Sequence, residues 1–284
     1  VARAHPAQFG IDSEKPSTAR IYDYYLGGKD NYLVDREAAE RVMAVVPEST
    51  AAVQSNRAFL IRAVRFLAAE AGIRQFLDVG SGLPTQLNVH EVAHSVTPDA
   101  HVVYVDCDPS VRAYGDALLS TAESVRFAQQ DLRRPEEILD DPAVHALIDF
   151  TQPVAILLVA ILPYIDDPDD PEEIVAKLRQ VMAPGSYLAI SHILDGPRTQ
   201  AIANTQRYAR THAWTPRSRD RIAGFFGGFE LVEPGLTVAA QWRQEPSADA
   251  EAGSTPAGYG LDCDEQPVDL EQISWLLAGI GRKP

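Results

Sequence analysis

Cysteine is almost missing from this 284-residue chain: only Cys107 and Cys263 are present, far apart and in no metal-like spacing. Two cysteines in so long a chain do not make a disulfide framework, and a reducing cytoplasm is the simplest setting. No apolar run reaches the ~20 residues that span a bilayer, and the first residues carry no apolar core like that of a signal peptide. Positive charge is short as well: 25 Lys and Arg stand against 40 Asp and Glu, a formal net charge of −15. Nucleic-acid affinity comes largely from cations that neutralise phosphates, so neither a DNA or extended RNA partner nor an anionic membrane surface is expected. What is there, 45% hydrophobic and 23% charged residues, is ordinary for a globular protein of one large domain.

The chain begins with a polar, unpatterned stretch to about Pro16. Ser17 to Tyr32 follows, whose first half predicts a short helix capped by Ser17 or Thr18 and stopped at Gly27-Gly28. Asp35 to Val46 and Asn56 to Ala71 repeat apolar residues at three and four, as amphipathic helices do. From there strands and helices alternate. Strands are predicted at Phe76 to Val79, His101 to Val105, Val125 to Ala128, Val154 to Val159 and Tyr187 to Ser191. Helices are predicted at Pro84 to His94, with proline in the first turn, and at Pro109 to Leu119, Pro135 to Leu139 and Glu172 to Met182. The unbroken apolar run of the fourth strand is typical of one buried on both faces of a parallel sheet. The alternation predicts an α/β fold: a Rossmann-like, doubly wound, mostly parallel sheet. Residues 1–72 would be an N-terminal helical cap and 73–284 the sheet domain, with Gln244 to Gly260 a loop or flexible insert and Trp275 to Ile280 a last strand.

Ligands of open parallel sheets sit beyond the carboxyl ends of the strands, so those ends hold the candidates. Strand one ends in Asp78-Val79-Gly80-Ser81-Gly82, where two glycines permit a tight turn and close approach of a ligand. Strand two ends in Asp106, able to accept both hydroxyl hydrogens of a ribose. Strand three runs into Asp131-Leu132, able to meet an adenine edge, and strand four into Ala160-Ile161-Leu162-Pro163-Tyr164. A pyrophosphate loop usually wants a third glycine, and that slot is Thr85. Asp78 would repel pyrophosphate but favours a cationic ligand, which argues for a cationic cofactor over NAD(P).

The order Asp78-x-Gly80-x-Gly82, Asp106, Asp131 resembles the class I S-adenosylmethionine (SAM) methyltransferases. More narrowly, Tyr22-Asp23-Tyr24-Tyr25-Leu26-Gly27-Gly28-Lys29-Asp30-Asn31, Arg74 to Thr85 and the closing Gly281-Arg282-Lys283-Pro284 are similar to an actinobacterial family named "S-adenosyl methyltransferase", formerly a domain of unknown function. The resemblance covers nearly the whole chain. It implies a SAM-binding Rossmann-like fold with a helical N-terminal addition, and names no acceptor. Carried over, Gly80, Ser81 and Gly82 would line the methionine part of SAM, and Asp78 would orient that loop or reach the ammonium group. Asp106 would hold the ribose and Asp131 with Leu132 the adenine, while Cys107, Ala160, Tyr22, Lys29 and Asn31 would complete the cofactor-facing set. Two departures stand out. Pro84 replaces the third glycine of the general methyltransferase loop, as the narrower family allows. Pro163 stands where many members carry histidine, so that histidine's role does not transfer.

The implied reaction is methyl transfer to a small-molecule acceptor by in-line displacement, which needs alignment more than an obligate catalytic side chain. His192 and Tyr164 are the catalytic candidates, with Tyr208 a further pocket candidate. Without catalysis the chain would be a SAM-binding sensor or partner protein. A third reading is a zinc hydrolase through His90-Glu91-Val92-Ala93-His94, whose histidines share a helix face and whose third ligand would have to come from Asp116 or Glu123. The bland alternative for that helix is a solvent-facing polar stripe. Oligomeric state is not legible.

Overall fold

Ser17 opens the first helix by accepting the backbone N–H of Arg20, so α1 runs Thr18–Tyr25. It stops where Gly27 takes a φ of +75°. Helices α2 (Leu33–Met43) and α3 (Ser49–Ala69) follow. The start of α3 lies ahead of the expected Asn56 because Ser49 and Ala52, too small to mark a period, are buried on the same stripe. The computed structural model describes residues 11–84, 87–119, 123–208, 214–244 and 273–284.

Beyond α3 the chain alternates as its pattern predicts: β1 (Gln75–Val79), α4 (Val89–Val96), β2 (His101–Val105), α5 (Pro109–Leu119), β3 (Val125–Ala128), α6 (Pro135–Leu139), α7 (Pro142–Leu147), β4 (Ala155–Val159), α8 (Pro171–Val181) and β5 (Tyr187–Ile193). The start of α4 is a further correction. Helix α4 does not start at Pro84 but at Val89, because Leu87 adopts a φ of +57° and Asn88 caps the helix with Glu91 closing back on its N–H. Then come α9 (Pro197–Tyr208), α10 (Arg219–Gly224), β6 (Glu230–Leu231), β7 (Thr237–Val238) and β8 (Leu276–Arg282). The expected insert, apart from Gln244, lies outside the described residues.

Among the described residues the sheet has eight strands in the order β3-β2-β1-β4-β5-β8-β6, with β7 also on β8. The first five are parallel; β8 runs antiparallel to β5, with Ile190 opposite Gly279. This is the expected doubly wound, mostly parallel sheet. Strand order reverses at β1, which lies between β2 and β4, and that opens a crevice beyond the ends of β1 and β4.

Side-chain alternation divides the core between the two faces of the sheet. On one, Phe59, Val64 and Leu67 of α3 join Phe76, Val102, Ala155 and Ala189. On the other, Leu77, Val103, Ile156 and Ile190 meet Ile138, Val175 and Phe225. The helix from the expected cap thus shares one core with the strands. It lays Arg57 against the crevice.

Candidate active site

The turn after β1 is held through its own backbone N–H groups. Gly80 N–H and Ser81 N–H both donate to the Val105 carbonyl, and Gly82 N–H donates to Asp106 Oδ2 at 2.9 Å. Gly80 and Gly82 have φ of +76° and +66°, a region costly for L-residues. They differ in surroundings. A Cβ on Gly80 would stand 2.5 Å from the Ile161 side chain, whereas one on Gly82 would meet nothing within 4 Å. Gly80 therefore fits tightly under the end of β4, and Gly82 borders open space. The Ser81 hydroxyl oxygen beside it is buried with no hydrogen-bond partner.

Two carboxylates, Asp78 and Asp106, border this turn, and a third, Asp131, follows β3. Asp106 also accepts Asp108 N–H on Oδ1, so each of its oxygens already takes one backbone donor. Burial raises its pKa, and those N–H groups oppose the rise. Asp78, 5% exposed, points to the α3 face. Burial pushes its carboxyl up to about 7, with the Arg57 cation opposing and Asp106 adding. Asp131 is turned aside: both of its oxygens accept from the Arg133 guanidinium, which, against the effect of burial, leaves its pKa lowered. Leu132 is buried beside it, and Cys107 is exposed.

A buried relay ties this region to the N-terminal helices. Ala160, at a φ of +60°, donates its N–H to Ser191 Oγ; Ser191 Oγ–H donates to Asn56 Oδ1 at 2.6 Å; Asn56 Nδ2 donates to Tyr22 Oη at 2.9 Å. Asn56 and Ser191 were missed in the sequence. Their signal was there: each is a polar residue in a stripe otherwise apolar, which burial tolerates only when it is bonded. On the other side of α1, the buried Arg20 pairs with buried Asp35 at 2.7 Å and reaches Ser110, while Ser17 Oγ donates to Asp108. The helical segment is thus fastened to α5 next to Asp106.

Next to the crevice, under α1, lies a cleft of about 560 Å³ including its open mouth. Tyr22, Tyr25, Tyr164, Trp214 and Trp275 supply its rings, and Ala160 and Asn56 its inner edge. Tyr164, a catalytic candidate, lines it; its hydroxyl accepts the Trp214 indole N–H at 2.9 Å, and burial pushes its pKa up to about 12. The side chain of Tyr208 lies outside the described residues.

Other candidates stand elsewhere. His192 belongs to β5 and points to the opposite face, fully buried and stacked on Phe225. Its Nδ1–H donates to the Ile193 carbonyl and its Nε2 accepts from Arg217, and burial pushes its pKa down to about 3. It cannot serve the cleft as a base. Lys29 is exposed. The Asn31 amide is spent on Asp23 Oδ2 and the Gly28 carbonyl, and Asp30 accepts from Tyr114. Asp23 fills the space where a Gly28 Cβ would stand, so the Gly-Gly-Lys-Asp-Asn turn is folded around an internal carboxylate.

The H-E-x-x-H helix is likewise committed. His90 Nδ1 pairs with Tyr104 Oη at 2.8 Å, and His94 Nε2 donates to the Ala100 carbonyl. No group of three His, Cys, Asp or Glu side chains with metal-binding geometry gathers among the described residues. Both histidines are half-buried and committed to these bonds, which speaks against a zinc pair, while Glu91 between them is exposed.

A model of the S-adenosyl methyltransferase family matches residues 4–284. A candidate methyltransferase from Thermobifida fusca YX is 42% identical with a TM-score of 0.85, over 96% of this chain and 97% of the other. A DUF574 family protein from Streptomyces avermitilis MA-4680 is 37% identical with a TM-score of 0.85, over 96% and 99%. No curated protein matches.

Proposed function

The chain belongs to the S-adenosyl methyltransferase family, and from that premise we propose that it methylates a small molecule held in the aromatic cleft, with its SAM in the crevice beyond β1. The single observation that carries this is adjacency: α3 contributes Asn56 to the cleft and the next residue, Arg57, to the space around Asp78 and Gly82. The residues of the crevice fit the cofactor. Gly82 leaves room where a side chain would be, the Ser81 hydroxyl is buried without a partner, and Asp78 and Asp106 supply negative charge for a cationic ligand.

Gly80, Ser81, Gly82 and Asp78 would hold the amino-acid part and Asp106, with Cys107 alongside, the ribose; each Asp106 oxygen keeps a lone pair beyond its backbone bond. Asp131 and Leu132 would border the adenine, Asp131 only as the partner of Arg133. SAM held there would supply an activated methyl on a sulfonium, which an acceptor in the cleft would take with loss of a neutral thioether and of any acceptor proton to water. The chain's part is alignment and exclusion of water. Ala160, fixed through Ser191 and Asn56 at the edge of the cleft, would mark the boundary between donor and acceptor spaces.

A cleft open beside the crevice favours an enzyme over a non-catalytic sensor. The net charge of −15 argues against a nucleic-acid acceptor. Among the described residues no helix is long and apolar enough to cross a membrane; the near-absence of cysteine supports a cytoplasmic setting. Titration calorimetry tests the donor half: wild-type protein binds SAM, and Asp106→Ala binds it at least tenfold more weakly. Wild-type protein that ignores SAM would sink the proposal.

A further inference from the structure

The lining of the aromatic cleft restricts what it can hold. Not one charged side chain contributes to its described wall, or to the smaller space that adjoins it past Tyr25 and Trp214. A carboxylate placed there would lose its hydration and find no partner, and an ammonium would find only ring faces, which return less than the hydration it gives up. The polar groups present are mostly spent. Asn56 is bonded at both ends of its amide, Tyr22 accepts from it and reaches the Val53 carbonyl at 3.4 Å, and Tyr25 donates to the Ala39 carbonyl.

One donor is left. Tyr164 Oη accepts the Trp214 N–H, and its own proton has no acceptor among the described residues. The flat faces around it, with Trp214 and Trp275 centred 6.1 Å apart and tilted by 34°, suit another ring.

Building on the reading that the methyl is delivered to this cleft, we infer that the acceptor is a neutral, planar aromatic molecule whose ring lies among Tyr22, Trp214 and Trp275 and whose oxygen or nitrogen accepts a hydrogen bond from Tyr164. The cleft rejects charged analogues by leaving them unsolvated, and Tyr164 selects for a polar substituent on the ring.

Three probes of one shape test it: 2-naphthol, naphthalene-2-carboxylate and 2-naphthylmethylammonium, with naphthalene as the unsubstituted reference. Trp242 is fully buried, while Trp214 and Trp275 line the cleft, so quenching of intrinsic fluorescence reports occupancy. With saturating SAM, 2-naphthol quenches saturably and both charged probes bind at least tenfold more weakly. Tyr164→Phe weakens 2-naphthol about fivefold, the worth of one hydrogen bond, and leaves naphthalene unchanged. Val53→Phe fills the half-buried wall, so it removes 2-naphthol binding while calorimetry finds SAM affinity retained. Equal affinity for charged and neutral probes, or no saturable binding of 2-naphthol, overturns the inference. If SAM binds in that sample the donor assignment survives alone; if SAM does not bind, the donor reading fails separately.

Discussion

The crevice beyond β1 and the cleft beneath α1 touch through consecutive residues of α3, yet they are built on opposite rules. The crevice keeps carboxylates and backbone N–H groups at low exposure, with Asp78 buried, Asp106 bonded at both oxygens and the Ser81 hydroxyl unpartnered. The cleft is walled by rings, and its few polar atoms mostly bond one another. Carboxylates held at low exposure favour a cation, and a wall of rings without charge favours a neutral ring. The difference teaches that one helix separates two solvents, one polar and preorganised and the other apolar.

The harshest way to break the comparison is Gly80→Val. Its Cβ would stand 2.5 Å from Ile161 at a φ of +76°, so the end of β4 must move and both regions deform. The expected outcome is loss of SAM binding by calorimetry together with a lowered Tm. Gly82→Ala sharpens the contrast. It meets nothing within 4 Å, so the folded protein loses only the ~1–2 kcal/mol of a left-handed alanine, while the methyl group occupies ligand space. SAM affinity should fall far more than stability, and equal losses of both would show that the two glycines share one structural role.

Asp78→Asn tests whether the crevice is kept at a cost to stability. The folded pKa stands near 7 against 3.8 for an ordinary aspartate, so the native state holds the proton more tightly than the unfolded chain. Wild-type stability therefore falls as pH rises from about 4 through 7, and the neutral Asn does not share that loss. The variant should melt a few degrees higher than wild type at pH 8 and at nearly the same temperature at pH 4. Its SAM affinity should be weaker. In the wild type, a bound cation lowers the Asp78 pKa, so affinity rises between pH 6 and 8 with release of a proton. A flat affinity profile, or a variant less stable at pH 8, would contradict this.

Asn56→Leu addresses the boundary itself. It removes the acceptor of Ser191 Oγ–H and the donor to Tyr22 Oη, at an expected ~1–3 kcal/mol measured by urea unfolding. If the relay holds Ala160 in place, SAM and 2-naphthol affinity both fall; an effect on one site alone would show that the regions are independent.

The two regions were also unequally legible. The crevice is a local motif: one turn after β1 and single residues at the ends of β2 and β3, each announced by its place in a strand–helix alternation. The cleft is assembled from residues as far apart as Tyr22, Asn56, Tyr164, Trp214 and Trp275, and no spacing in the chain announces that. His192 was read as lying past a strand that ended at Ser191. Two more residues of β5 turn it to the opposite face, because a period of two sends neighbours to opposite sides. Helix α9 escaped because PRTQAIANTQRY is mostly polar, with Ile202 and Ala203 as its fully buried apolar residues, too few to set a period. The start of α4 was misplaced because proline at Pro84 looks like a first helical turn, while the local cap is Asn88.

The smallest effect is expected where a ligand-facing turn was anticipated, at Asn31. Its amide donates to Asp23 Oδ2 at 2.9 Å and to the Gly28 carbonyl at 3.0 Å, and Asp30 N–H donates to the same Asp23 oxygen. Burial raises the Asp23 pKa, and the Asn31 and Asp30 bonds oppose that rise. Asn31→Ala removes one of those bonds and leaves the other, so the expected loss is ~1 kcal/mol of stability with SAM affinity unchanged. Asp23 should then hold its proton more readily, so the loss shrinks toward low pH, where its carboxyl is neutral in both variants. A tenfold change in SAM affinity at unchanged stability would return the turn to the crevice. Stability lost without affinity makes it a brace for α1, part of neither solvent.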